Sequence, residues 1–407
     1  MIRSLRTVSR PRRYQRLPLA ALLLALGPAW ACDPPRSDAA GDGADVEAPN
    51  GRRASPRPGP PPHVLSLDPE RPTTTGLDSA LVAGALARAD SLPRLRCLVI
   101  ARHSEILVER CGGRYAPDRY ANVKSVSKSV LSAVVGLAIE EGHLEGADER
   151  ITPLLEVHLD GIPDARKQRI TVGNLLSMQS GLERTSGGNY GAWVTSRNWV
   201  RNAIRRPMVA EPGGRMLYST GNYHLLSAII TQRTGRSTLA YARERLGEPA
   251  GITIPSWPTD PQGIYFGGND MQLTPRDMVR FGELYRNRGR ADGRQVVPEE
   301  WVRASLEPRT VSPWSGERYG YGWFLSEAGD HPMFYAWGYG GQFIFVVPNL
   351  ELTVVTTSDP SGPRGGGHIG AIHDLIDEWI VPAAENGAAP ATPDRLAPSA
   401  DVLEDTR

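Results

Sequence analysis

The chain has 407 residues, 46 of them Lys or Arg and 45 Asp or Glu, for a formal net charge of +1, with 40% hydrophobic and 22% charged residues. That length suffices for a large soluble core without a metal or disulfide staple, and the balanced charge offers no concentrated basic surface for nucleic acid. Three cysteines exclude a Cys-built zinc site and a disulfide-dense scaffold.

At the N-terminus, six arginines from Arg3 to Arg16 precede an apolar run, Leu17 to Leu26, and the small residues of Ala29-Trp30-Ala31. This pattern predicts a secretory signal peptide over residues 1–31. The apolar run is shorter than the roughly 20 residues a membrane-spanning helix needs. Cys32 follows directly and suits either simple cleavage or a lipid anchor that would attach the chain to a bacterial membrane. Residues 32–75, rich in Pro, Gly, Asp and Ala, read as a disordered tether, since they hold too little apolar surface to offset their ordering entropy.

Two β-prone runs, Cys97-Leu98-Val99-Ile100 and Ile106-Leu107-Val108, flank His103-Ser104-Glu105 and predict a hairpin centred on residue 104. Symmetric pairing sets Cys97 opposite Cys111, which suits either a cross-strand disulfide in an oxidising compartment or two small buried hydrophobes.

Residues Ser125 to Glu141 carry a broad apolar face and predict a largely buried helix. Ser125-Val126-Ser127-Lys128 opens it. Residues three apart on a helix share a face, so the Ser125 hydroxyl and Lys128 amine can touch. A serine there also lies near backbone N–H donors and the positive end of the helix dipole. Burial would disfavour the Lys128 ammonium and leave an amine able to accept a proton. The same four residues also suit a helix-capping serine and a snorkelling lysine. Residue usage favours the chemical reading. Apart from Lys124, Lys128 and Lys167, every basic residue is arginine, which cannot deprotonate, so a retained lysine fits a site needing a base. Lys124 reads as structural or electrostatic support.

Residues of about 151–268 hold turns and short helical patterns, including Val172 to Met178 and Leu225 to Ile230, and read as a helical subdomain. Within it, Tyr218-Ser219-Thr220 suits a commonplace turn or a tyrosine that shuttles a proton. His224 suits the border of a cleft or, more simply, a structural role, and Gly267-Gly268-Asn269-Asp270 suits the lining of a cleft or, more simply, a turn. A helix is expected from near Thr274, then strands at 322–325, 343–347 and 352–357, the last two joined by Pro348-Asn349-Leu350-Glu351. Before the second strand, Trp337-Gly338-Tyr339-Gly340-Gly341-Gln342 suits a turn, or a loop whose N–H groups complete an oxyanion hole with the Ser125 amide. An amphipathic helix over 369–380 precedes a tail, 384–407, expected to be disordered. Strands early and late with helices between them predict one sheet assembled from both ends of the chain. No Gly-x-Ser-x-Gly elbow or His-Glu-x-x-His occurs. His368 and His373, five apart, are poorly spaced for one helix face, and no metal or other cofactor is expected.

Taken in order, these elements resemble the penicillin-recognising serine hydrolases: class C β-lactamases, DD-peptidases, related esterases and 6-aminohexanoate-dimer hydrolases. The likeness runs from about Leu77 to Pro382 and rests on Asn122-Val123-Lys124-Ser125-Val126-Ser127-Lys128-Ser129, Leu175-Leu176-Ser177-Met178-Gln179-Ser180-Gly181-Leu182 and Leu217-Tyr218-Ser219-Thr220. It implies a mixed α/β fold of the α+β type, with an antiparallel sheet between helices, an all-helical subdomain and a site in the cleft. It implies Ser125 as acylated nucleophile, Lys128 as its proton acceptor and Tyr218 as the tyrosine of the Tyr-x-Asn element. Thr220, Gly338, Tyr339 and Gly340 would border the substrate, with Tyr339 or an adjacent residue supplying a backbone donor. Thr220 stands where β-lactamases and DD-peptidases usually have Asn, and no Lys-Thr-Gly or His-x-Gly lies near Gly338. The pattern is therefore closer to the esterase and amide-hydrolase branch, acting on a small ester or amide. A DD-carboxypeptidase or β-lactamase, and an inactive binding protein of the same fold, are the competing readings.

Overall fold

The computed structural model describes residues 76–158, 164–362 and 367–387. The expected signal peptide, Cys32, the tether at 32–75 and the tail beyond Gly387 lie outside these residues. Helix α1 (Ser79–Asp90), for which the sequence reading has no counterpart, is capped by Asp78, whose carboxylate accepts the Leu81 N–H at 2.9 Å. It leads into β1 (Leu95–Arg102) and β2 (Glu105–Cys111), the expected hairpin. His103 and Ser104 both take positive φ, 54° and 66°. This is the geometry of a two-residue turn whose twist matches that of the strands. Cys97 pairs with Cys111 at a Cα separation of 4.1 Å, the close spacing of a non-hydrogen-bonded pair, and the two form a disulfide.

Helix α2 (Ser127–Glu140) begins two residues later than expected, because Lys124–Val126 form a separate 3₁₀ turn. Every residue of α2 from Ser127 to Ala138 is buried, so it serves as a central post rather than an amphipathic surface helix. Between residues 164 and 268 no strand of the large sheet occurs, in keeping with the expected helical subdomain. Its longest helix, α3 (Thr220–Thr234), packs on α2 and ends at Gly235 in the left-handed conformation. Helix α4 (Pro275–Arg286) starts where expected. Thr274 caps it by accepting the Asp277 N–H at 3.0 Å, and Pro275 sits in the first turn, where its missing N–H costs nothing.

The remaining strands are β3 (Thr310–Val311), β4 (Arg318–Tyr319), β5 (Phe324–Ala328), β6 (His331–Gly338), β7 (Gln342–Val347) and β8 (Leu352–Ser358). They join the first two in an eight-stranded antiparallel sheet ordered β2-β1-β8-β7-β6-β5-β4-β3. Strand β1 thus lies between its hairpin partner and the last strand, so both ends of the chain build the sheet. The strand expected at 322–325 starts at Phe324, because Gly322 adopts φ +88°. Strand β6 was not expected as a strand; it is paired along its length with β5 and β7.

Strands β7 and β8 are buried at every position, since both faces of the sheet are covered. Gly282 of α4 meets Ile344 and Val346 on one face, while Phe343 and Phe345 meet the His373 ring on the other. His373 belongs to α5 (His368–Leu375), which passes through a wider turn at Ile376–Ile380 into a short helix, Val381–Asn386. The folded chain therefore runs past the boundary expected at 383. Ala383 and Ala384 are buried, and the Ala383 carbonyl accepts the Asp78 N–H at 2.8 Å. Among the described residues no helix is long and apolar enough to cross a membrane.

Candidate active site

Residues Ala121–Asn122 pair with Gln272–Leu273 in a two-residue ladder, and the Val123 N–H donates to the Met271 carbonyl at 3.0 Å. This pairing brings the chain to the start of α2. Lys124 then takes φ +51°, uncommon for a residue with a side chain, and turns Ser125 to the head of the helix. Several contacts hold that conformation. The Asn122 carboxamide oxygen accepts the Lys124 N–H at 3.0 Å. Asp270 accepts from both the Lys124 ammonium and the Asn122 amide, each at 2.8 Å. The Ser127 hydroxyl donates to the Lys124 carbonyl and accepts the Met271 N–H. Lys124 is thus the electrostatic support that the sequence allowed.

One turn on, Lys128 is 1% exposed. Its Nζ lies 2.9 Å from Ser125 Oγ, 2.5 Å from the Gly268 carbonyl and 3.4 Å from Thr220 Oγ1. Desolvation lowers its pKa to about 7, with Asp270 acting the other way. The Tyr218 ring centre is 5.0 Å from the amine. Burial pushes the Tyr218 hydroxyl up to about 12, while a hydrogen bond with Ser125 pulls it down. The three residues that the sequence singled out, drawn from two distant segments, therefore meet in one cluster.

Thr220 opens α3, whose N-terminus lacks a cap from its own Ser219. Neighbouring hydroxyls take over: Ser186 accepts the Thr220 N–H at 2.9 Å and Thr185 the Gly221 N–H at 2.8 Å. Ser186 Oγ also lies 3.1 Å from Thr220 Oγ1, so a chain of hydroxyls runs from Lys128 through Thr220 to Ser186.

The Trp337–Gln342 segment is the β6–β7 turn, and it lies against the start of α2. A Cβ on Gly338 would sit 2.3 Å from the Val123 carbonyl oxygen, so only glycine lets β6 approach so closely. Gly340 takes φ +88° against Pro360. These two glycines shape the turn, and the residues that border the cavity are Trp337 and Tyr339. Gln342 braces the turn: its amide donates to the Ser358 carbonyl at 2.9 Å and more weakly to the Tyr339 carbonyl, and its oxygen accepts the Ser358 N–H at 3.0 Å.

Together these segments enclose a cavity of about 560 Å³. Ser125 and Thr220 face it, with aromatic walls from Tyr190, Tyr218, Trp314, Phe324, Trp337 and Tyr339 and polar groups from Lys124, Ser186, Asn269 and Asp270. The Gly267–Asp270 segment, which the sequence allowed either to turn the chain or to line the cleft, does line the cavity and also supplies the carbonyl under Lys128. Ser186 and Trp314 come from loops, Tyr190 from the start of a short helix (Tyr190–Val194) and Phe324 from a strand, none with a motif of its own. His224, read as structural, is fully buried against Asp260 at 3.0 Å.

The family model described as Beta-lactamase matches residues 96–375. A 6-aminohexanoate-dimer hydrolase from Paenarthrobacter ureafaciens is 27% identical over 282 residues, covering 64% of this chain and 71% of that protein. Among solved structures, D-amino acid amidase from Ochrobactrum anthropi SV3 superposes with a TM-score of 0.59 at 18% identity, covering 73% of this chain and 98% of that one. An octameric penicillin-binding protein homologue from Pyrococcus abyssi gives 0.58 at 18% identity, with 76% and 78% covered. These likenesses share the antiparallel sheet and flanking helices described above. The matched span includes the whole serine, lysine and tyrosine cluster and most of the sheet, and on that extent the chain belongs to the beta-lactamase family of hydrolases.

Proposed function

We propose that this chain is an exported serine hydrolase that cleaves an ester or amide through an acyl-enzyme on Ser125. The observation that carries this reading is the 2.9 Å contact between Ser125 Oγ and a buried Lys128 whose pKa is about 7. In its neutral form Lys128 accepts the Ser125 proton as Oγ bonds to the substrate carbonyl carbon. The oxygen that becomes negative is met by the backbone N–H groups of Ser125 and Tyr339. Collapse of this intermediate breaks the bond to the leaving group. Tyr218, held protonated at neutral pH, gives that group its proton and regains one from Lys128. Water then attacks the acyl-enzyme, its proton passing to the same relay, and Ser125 is restored.

The dimer hydrolase and the amidase among the similar proteins support an amide substrate, and the absence of Lys-Thr-Gly after β6 argues against a β-lactam. Export rests on the pattern of residues 1–31 and suits a chain with a disulfide. Attachment through a lipidated Cys32 would be read from the mass of the mature N-terminal peptide.

The test is intact-mass analysis after exposure to a p-nitrophenyl ester and a fluorophosphonate, with Ser125→Ala and Lys128→Ala in parallel. One adduct is expected, on Ser125, lost in the first variant and slowed in the second. No adduct on the folded protein with either probe would overturn the assignment in favour of a binding protein.

A further inference from the structure

The charges around the cleft are unevenly satisfied. Asp270, the carboxylate lining the cavity, is held by Lys124 and Asn122 at 2.8 Å each. It is therefore not free to receive a cationic substrate. Arg184, in contrast, stands exposed at the rim. Its guanidinium lies 5.8 Å from the Trp314 ring centre and is the nearest group to a Cβ built on Gly187, at 3.8 Å, and both Trp314 and Gly187 line the cavity. Among the described residues no carboxylate forms an ion pair with Arg184.

Trp314 connects this cation to the reacting groups. It lies edge-on to Tyr218 at 6.0 Å between ring centres, so Tyr218, Trp314 and Arg184 form a row leading out of the cleft. A guanidinium held 5.8 Å from the centre of an aromatic ring is drawn towards that ring and keeps its planar fork of donors for a carboxylate.

From this row we infer that Arg184 forms a carboxylate-binding subsite, and that the enzyme prefers esters or amides whose leaving group carries a carboxylate several bonds from the scissile carbonyl. The leaving-group side is assigned because Tyr218, at the inner end of the row, is the residue that protonates the departing atom. The inference rests on the hydrolase reading above, and Trp314 would hold the apolar part of the leaving group between Tyr218 and Arg184.

The experiment compares kcat/KM for 3-(4-acetoxyphenyl)propionate and its methyl ester, whose phenolic leaving groups differ in charge but hardly in reactivity, in the wild type, Arg184→Gln and Arg184→Glu. Acetate release from p-nitrophenyl acetate reports on Ser125 independently of charge. The wild type is expected to favour the anion about two- to fivefold, the range of an exposed Arg–carboxylate pair. Arg184→Gln should bring the ratio near one, Arg184→Glu should invert it, and all three proteins should hydrolyse p-nitrophenyl acetate alike. A wild-type ratio of one or less, or a preference that survives in Arg184→Gln, overturns the subsite while leaving the hydrolase reading intact. Loss of Ser125-dependent turnover of p-nitrophenyl acetate would instead remove the hydrolase reading itself.

Discussion

Replacing Lys128 with methionine should abolish acylation and yet stabilise the protein at acidic pH. Lys128 titrates near 7 in the folded chain against an ordinary value of 10.5. Between those values the unfolded chain binds more protons than the folded one, so wild-type stability rises with pH across this window. Below pH 7 the buried charge costs about 4 to 5 kcal/mol. Methionine removes that cost but leaves the Gly268 carbonyl and the Thr220 hydroxyl without their buried partner, a loss of about 1 to 3 kcal/mol. Lys128→Met should therefore be the more stable protein at pH 6 by roughly 1 to 4 kcal/mol. Because the wild type gains about 2 to 3 kcal/mol between pH 6 and pH 9, the advantage should vanish near pH 9. Urea denaturation of both proteins at pH 6, 7.5 and 9, followed by circular dichroism, measures the difference. A gap that does not change with pH would show that Lys128 keeps an ordinary pKa, and the case for it as the base would fall with it.

Further outcomes follow from the same geometry. The rate of Ser125 acylation should rise with pH through about 7 and level off above, as Lys128 loses its proton; a flat profile between pH 5.5 and 8.5 in stopped-flow acylation would contradict this. Asp270 raises the Lys128 pKa, so Asp270→Asn, which also leaves Lys124 unpaired, should move that rise to lower pH. Tyr218→Phe should slow turnover of an amide, which needs a protonated leaving group, by about 10²-fold or more, and should slow a p-nitrophenyl ester much less. Gly338→Ala sets a Cβ against the Val123 carbonyl, and the backbone shift should cost about 1 to 3 kcal/mol together with most of the acylation rate; thermal unfolding and adduct mass report on the two separately. Loss of the Cys97–Cys111 bond, through serine at both positions, should cost about 3 kcal/mol for a loop of this size, visible as a lower urea midpoint than that of the oxidised wild type.

Features governed by local chemistry were legible in the sequence. Ser125 and Lys128 owe their meeting to a three-residue spacing that survives the change from α-helix to 3₁₀ turn, and the scarcity of lysine marked Lys128 out. The Cys97–Cys111 pairing followed from hairpin symmetry. Features set by tertiary packing were not legible. Strand β6 carries the mixed run His331-Pro332-Met333, whose strand character comes from pairing with β5 and β7. Ser186 is a loop serine until Thr220 is brought beside it, and Trp314 lies in the turn between β3 and β4, far in sequence from Tyr218. The Gly267–Asp270 segment has the composition of a turn, and its role beneath Lys128 depends on the ladder between Asn122 and Gln272.

The placement of β1 beside β8 also governs when the chain can fold. Val99 pairs with Val355, so a central contact of the sheet joins residues near the two ends of the folded region. Such high contact order makes folding slow, because a long loop must close before the pairing returns any stability. A chain emerging from the ribosome carries β1 and β2 with one edge open until Ser358 has been made, so a stop codon ahead of β8 would leave a fragment prone to edge-to-edge association. Late closure also keeps the central strand β1 without its second partner until nearly the whole folded region has been made.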